Sequence, residues 1–353
     1  MSARRTPRRI PPRRAAVAAG LALTLGLLAA ACGGDASLPS EITSGVVATD
    51  APATSAPPQC TDAEQEQDAT PSYAPLDEMP EPGAMPEGST MAEIQASGRL
   101  RVGVSADTLL FGARNPFNGE IEGFDIVVLK EVAKAIFGDD GEDRLDYRVI
   151  TYADRLPSLE ADDVDIVAHT MTINCNRWLR IAFSAVYYQA GQKVLVKKGS
   201  GFDSILELND AGAIVCAPEG STNIEELRTN SKYADVEVLG KDDITDCLVA
   251  MQQGLADATT GDDTVLAGFA VQDPNTEVVG DPFTEEPYGL GMNRGDDHVD
   301  FVRFVNGVLQ QLRDSGRLQE IYDTWLIDTG GFPEGTPFDL PEPNYTRPIP
   351  GGS

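Results

Sequence analysis

The residues best suited to chemistry are few. His169 and His298 are the two histidines, and five cysteines stand at Cys32, Cys60, Cys175, Cys216 and Cys247. None falls in an HExxH or CxxC pattern and no Walker GxxxxGK[ST] run occurs, which argues against zinc hydrolysis and P-loop chemistry. No histidine sits where it would activate a thiol, so a catalytic cysteine is set aside, and no cofactor or metal is called for. Charge is abundant instead: 56 Asp plus Glu against 27 Lys plus Arg, a formal −29. Such a chain repels polyphosphate, which excludes nucleic acid as a partner. Its 353 residues, 41% apolar, suffice for two cores at roughly 150 residues each.

Six arginines lie between Arg4 and Arg14, no acid occurs in the first 31 residues, and a small and apolar run over 15–31 leads to Cys32. This is an export signal over 1–31, too short and too rich in Ala and Gly for a membrane span. The mature protein is therefore expected outside the cytoplasm. Leu28-Ala29-Ala30-Ala31 before Cys32 resembles the bacterial lipobox, although that pattern prefers Leu where Ala29 stands; the resemblance implies a diacylated Cys32 and a lipid anchor to the cell membrane. The other reading is an ordinary secreted protein with a chance thiol at Cys32.

Residues 32–88 are dense in Pro, Ala, Ser, Thr, Asp and Glu. Such a segment buries too little surface to offset its ordering entropy, so it reads as a flexible tether, and residues 330–353 read as a matching Pro/Gly-rich tail. With Cys32 lipidated, four cysteines remain for an oxidising compartment, and three connectivities are open. Nearness along the chain within one lobe favours Cys216 with Cys247, leaving Cys60 with Cys175; buried free thiols are the alternative.

From Leu100 onward, strand-like and helix-like segments alternate, the pattern of an α/β fold. Strands are expected over 100–104, 145–151, 165–169 and 192–197, with helices over 126–137, capped by Asp125, and 156–161. After the break Lys198-Gly199-Ser200-Gly201, a second set follows: strand 213–216, a helix opening at Thr222, helix 244–253, strand 258–260 and helix 263–270. A strand over 287–292 returns, and helices 299–313 and 318–326 close the first lobe. The lobes are thus expected at 89–196 with 287–329, and at 197–286.

The runs Arg99-Leu100-Arg101-Val102-Gly103-Val104, Gly123-Phe124-Asp125-Ile126, Thr170-Met171-Thr172-Ile173-Asn174-Cys175-Asn176-Arg177 and Phe183-Ser184 with Tyr187-Tyr188 resemble family 3 of the bacterial extracellular solute-binding proteins. Glu219-Gly220-Ser221-Thr222, Ala256-Asp257-Ala258 with Asp262, and Pro287-Tyr288-Gly289-Leu290-Gly291 extend the resemblance over about 92–326. Within that family the chain most resembles the actinobacterial glutamate- and glutamine-binding lipoproteins, a GlnH-like group. The resemblance implies a two-lobe type II periplasmic-binding-protein fold, closing on an amino acid at a two-strand hinge.

An amino acid zwitterion taken out of water needs a guanidinium fork for its α-carboxylate and an anion for its α-ammonium. The resemblance gives the first role to Arg177 and the second to Asp262, with Asp263 as competitor and a plain N-cap as the alternative for either. Thr170 and Thr172 would hydrogen-bond the ligand. Gly220, Ser221 and Thr222, opening a helix, would add N–H donors. Arg155 would meet a side-chain carboxylate, with Arg114 in support, and Ser105, Phe111 and Tyr152 are candidates for the wall. His169 reads as a satisfied polar residue behind the strand. The expected function is capture of glutamate, aspartate or their amides by a monomer that delivers them to an ABC permease or a membrane sensor. An exported, dehydratase-like enzyme on the same fold and a binding domain that has lost its ligand are the alternatives.

Overall fold

A computed structural model describes residues 58–330, 332–333 and 336–350. The export signal, Cys32 and the first part of the tether lie outside the described residues.

Leu100–Val104 is buried at four of its five residues, as expected of a strand covered on both faces. It lies between two parallel neighbours, Leu145–Val149 and Ile166–Ala168. Gly291–Met292 and Ala182–Phe183 complete this five-stranded sheet in antiparallel sense. Helices Phe124–Phe137 and Val299–Asp314 share its core through residues such as Val128, Val132, Phe301 and Phe304. The second sheet runs in the order Glu237–Lys241, Ile214–Pro218, Ala258–Asp262, Tyr188–Lys197 and Thr276–Val279. One of its cores holds Ile244–Gln253 and Asp263–Gln272, and another holds Ile205, Leu227 and Tyr233.

Two strands cross between the sheets. Tyr188–Lys197 begins in the first core and ends in the second sheet, and Glu285–Tyr288 runs antiparallel along its first half, with Tyr288 opposite Tyr188. This is the two-lobe α/β fold with a two-strand hinge. The disulfides Cys216–Cys247 and Cys60–Cys175 are both formed, the second closing a sequence separation of 115.

Three local expectations are corrected. Asp125 does not cap the helix at Phe124: Gly123 precedes it at φ +143°, and a Cβ there would lie 2.1 Å from Phe111 O. The freed Asp125 side chain turns inward to Tyr187 and the Thr170 amide. The segment 287–292 is two strands in different sheets, because the chain leaves the hinge at Gly289, where Ile173 and Phe183 leave no room for a Cβ. The closing helix Arg317–Tyr322 widens into a π-helical turn over Asp323–Thr329.

The largest difference concerns the tether and tail, whose described parts pack on the first lobe. Ser72 and Tyr73 are buried, with Ser72 Oγ donating to Phe183 O at 2.7 Å. Asn306, fully buried in the middle of Val299–Asp314, donates to Ser72 Oγ and Tyr73 O at 2.8 and 2.7 Å. Trp178 Nε1 donates to Ala69 O, and Arg303 to Ala74 O. In the tail, Phe338 stacks on Tyr322, Arg347 lies 3.5 Å over Trp178, and Ser72 N donates to Asn344 O. Composition misleads here because lobe side chains supply the donors that a Pro-rich strap cannot find within itself.

Candidate functional site

The site is built where the strand ends of both lobes face each other. In the first lobe, Asn174 caps the short helix Cys175–Trp178 by accepting from Arg177 N, which aims Arg177 back toward Thr172. Its guanidinium donates to Thr172 O at 2.6 Å and to Gly220 O of the second lobe at 3.3 Å. Arg155 is 1% exposed and donates to the carbonyls of Tyr152, His169 and Thr170 and, across the cleft, to Gly220 O at 3.1 Å. Two buried guanidiniums therefore converge on one carbonyl at the lobe junction. Among the described residues, neither pairs with a carboxylate. Burial, and then the neighbouring Arg177, push Arg155 down to about 9; burial also lowers Arg177, against the pull of Glu286, Glu225 and Asp262.

Gly220 allows that approach. Its φ is +77°, and a Cβ would stand 2.7 Å from Ala153 Cα of the opposite lobe, so this is a point of tight backbone contact between lobes. Ser221 caps the helix Thr222–Thr229, accepting from Ile224 N and donating to Pro218 O. A second clasp joins the lobes at Asp107, which accepts from Thr245 Oγ1 at 2.6 Å and from Ser105 Oγ at 2.8 Å.

Asp262 is the acid turned into this region. It accepts from Tyr288 OH at 2.5 Å and Asn223 Nδ2 at 2.8 Å, and makes no side-chain cap to the following helix. Burial, with Glu286 adding to it, raises its carboxyl to about 7 against those two hydrogen bonds. Asp263 is spent on the Thr264 and Gly191 amides. Thr170, at φ +42°, gives its N–H to Asp125 and its carbonyl to Arg155, and its buried Oγ1 has no hydrogen-bond partner among the described residues.

The remaining expectations divide. Tyr152 lies under Arg155, ring centroid 4.7 Å from the guanidinium carbon, and edge-on to His169. Among the described residues, His169 is bonded only through Nε2 to Ile150 O, with no partner for Nδ1, and burial pushes it down to about 3. Phe111 packs against Phe124, Tyr188 and Tyr288. Ser105 serves the Asp107 loop. Arg114 is exposed and donates to Gly119 O within its own hairpin, so the structure does not bring it to the cleft. Sequence reasoning missed Glu286, Asn223 and Tyr288. The one signal for Glu286 is its place two residues before Tyr288 on a strand, which puts both on one face. Cavities of about 340 and 350 Å³ flank the junction, one lined by Tyr152, Arg177 and Gly220, the other by Thr172, Thr222 and Glu286.

A family model described as bacterial extracellular solute-binding proteins, family 3, matches residues 100–328. The ABC transporter glutamine-binding protein GlnH of Bacillus subtilis is 38% identical over 237 residues, covering 67% of this chain and 84% of the relative. The glutamate-binding protein GluB of Corynebacterium glutamicum is 31% identical over 253 residues, covering 69% and 84%. A solved ancestral amino-acid-binding protein, described as a precursor of cyclohexadienyl dehydratase, superposes with a TM-score of 0.60 at 30% identity, covering 67% of this chain and 99% of its own. With its two lobes, crossing strands and inter-lobe cleft, the chain belongs to the bacterial extracellular solute-binding proteins, family 3.

Proposed function

We propose that the protein is a lipid-anchored, extracytoplasmic receptor that captures glutamate, aspartate or their amides between its lobes and presents them to an ABC permease or a membrane sensor. The observation that carries this reading is the pair of buried guanidiniums, Arg155 and Arg177, with no carboxylate partner among the described residues. Burying a cation without a counter-charge costs several kcal/mol, and the ligand's carboxylate supplies the missing charge. In this reading Arg177 takes the α-carboxylate, with Thr170, Thr172, Gly220, Ser221 and Thr222 around it, and Asp262 takes the α-ammonium. Arg155 then meets the ligand side chain. The names of the glutamine- and glutamate-binding relatives support the ligand class. Residues 89–196 with 287–329 form one lobe and 197–286 the other, carried as a monomer from a diacylated Cys32.

Calorimetry on two variants tests the assignment. Arg177→Ala abolishes binding of every amino acid, whereas Arg155→Ala weakens acidic ligands more than amides; an equal loss for both classes contradicts the side-chain role. The ancestral neighbour's description favours a dehydratase-like enzyme as the second reading. Recovery of the ligand chemically unchanged after prolonged incubation supports the receptor, and turnover supports the enzyme.

A further inference from the structure

Glu286, on the hinge strand Glu285–Tyr288, is 3% exposed and accepts three threonine hydroxyls. Thr172 of the first lobe and Thr222 of the second both donate to its Oε2, at 2.5 and 2.7 Å, and Thr284 donates to Oε1 at 2.6 Å. The carboxylate oxygens accept and a hydroxyl has one proton to give, so each threonine spends its proton on Glu286. The Thr172 and Thr222 oxygens stand 3.3 Å apart, with no proton left to share between them. What holds these two hydroxyls together is their common acceptor.

The two attachments are not equivalent. Thr172 is also fastened to the hinge by backbone: it forms a β-bridge with Tyr288, and the next residue, Ile173, donates its N–H to Pro287 O at 2.8 Å. Thr222 opens the helix Thr222–Thr229 of the second lobe, and among the described residues its tie to the hinge strand is the side-chain bond to Glu286. Glu286 stands at the boundary between the lobes, and the backbone bonds of Thr172 and Ile173 to Tyr288 and Pro287 tie its strand to the first lobe, so when the lobes separate the Thr172 contact travels with the hinge and the Thr222 contact breaks.

We propose that Glu286 is a positioning residue for ligand binding, a hinge-borne carboxylate that draws Thr222 of the second lobe against Thr172 of the first and so holds the lobes together over a bound amino acid. This rests on the receptor reading. A latch of this kind acts on how long the closed form lasts, so it lowers the dissociation rate for every ligand alike. It differs from a contact to the ligand side chain, which would discriminate between ligands, and from a mere packing group, which would alter thermal stability alone.

The test is stopped-flow binding with the purified protein and glutamate and glutamine as probes. Glu286→Gln, which keeps the shape, and Thr222→Val each raise the dissociation rate about tenfold for both probes. The double variant is no worse than the worse single, because the two changes break one bond. Thr222→Ser restores the wild-type rate, and Thr284→Val, which removes a bond that does not cross the lobes, leaves it within about twofold. Unchanged rates, additive losses, or a loss confined to one probe overturns the proposal. Small-angle scattering of the same proteins without added amino acid is the second readout, in which Glu286→Gln and Thr222→Val expand the particle relative to wild type and Thr284→Val does not. Identical scattering curves also overturn the latch. If wild type binds no amino acid while scattering still separates the variants, the receptor reading fails and the latch stands.

Discussion

Gly220→Ala separates lobe closure from every other property of the site. At φ +77° an alanine costs about 1–2 kcal/mol of backbone strain, and that cost is the same with the lobes apart or together. The second cost arises only on closure. The new Cβ would stand 2.7 Å from Ala153 Cα and 3.1 Å from Ala153 N, where ordinary contact begins at 3.4 Å, and both opposing atoms are backbone with no side chain to swing aside. Opening the junction to relieve this carries Gly220 O out of reach of Arg155 and Arg177, now at 3.1 and 3.3 Å. Hydrogen bonds to charged groups are worth about 1.5–3 kcal/mol each, so losing most of both gives about 2–4 kcal/mol, or a rise in Kd of about 30- to 1000-fold. The assay is calorimetry with glutamate beside thermal unfolding, with Gly254→Ala as control. Gly254 has a similar φ of +74° but nothing within 4 Å of the added Cβ, so it lowers Tm and leaves Kd unchanged. If Gly220→Ala lowers Tm equally and changes Kd less than threefold, the closed junction does not govern binding and the reasoning fails.

Further expectations follow from the same geometry. Asp262 has its carboxyl raised to about 7, so the ligand ammonium competes with a proton and affinity falls about tenfold per unit as pH drops from 7 to 5; Asp262→Asn flattens this profile, measured by calorimetry. The sign is opposite for stability without ligand: a raised carboxyl favours the folded state while protonated, so Asp262 adds stability below about pH 4 that is lost as pH rises through 7, visible as a falling Tm that Asp262→Asn removes. Replacing Cys60 and Cys175 by serine lowers stability by roughly 2–4 kcal/mol and exposes residues 58–88 to limited proteolysis; a protease-resistant strap would contradict the anchoring described for it. Asn306→Leu leaves the buried Ser72 hydroxyl and Tyr73 carbonyl short of a donor and costs about 1–3 kcal/mol, read by denaturant unfolding.

Where burial follows chain periodicity, the sequence was legible. Leu100–Val104 and Phe124–Phe137 announce themselves by apolar spacing, and Arg177 and Asp262, singled out by their place in an ordered set of motifs, are both buried. Glu286 does not stand out, because one carboxylate among 56 acids gains its meaning only when the hinge brings Thr172 and Thr222 to it. Arg114 was misplaced for the complementary reason: charge type alone says nothing about which way a hairpin faces. The strap at 58–88 looked disordered because its partners Trp178, Asn306 and Arg303 lie more than a hundred residues away. Composition carries no record of such long-range donors.

On the proposed reading, Arg155 and Arg177 are buried to receive the α-carboxylate and the side-chain carbonyl oxygen of an acidic or amide amino acid. Isothermal titration of the wild-type protein with the twenty amino acids tests it most directly. Saturable binding confined to glutamate, aspartate, glutamine and asparagine is expected; heat from none of the twenty, or from lysine and arginine in place of these four, contradicts the proposed ligand class.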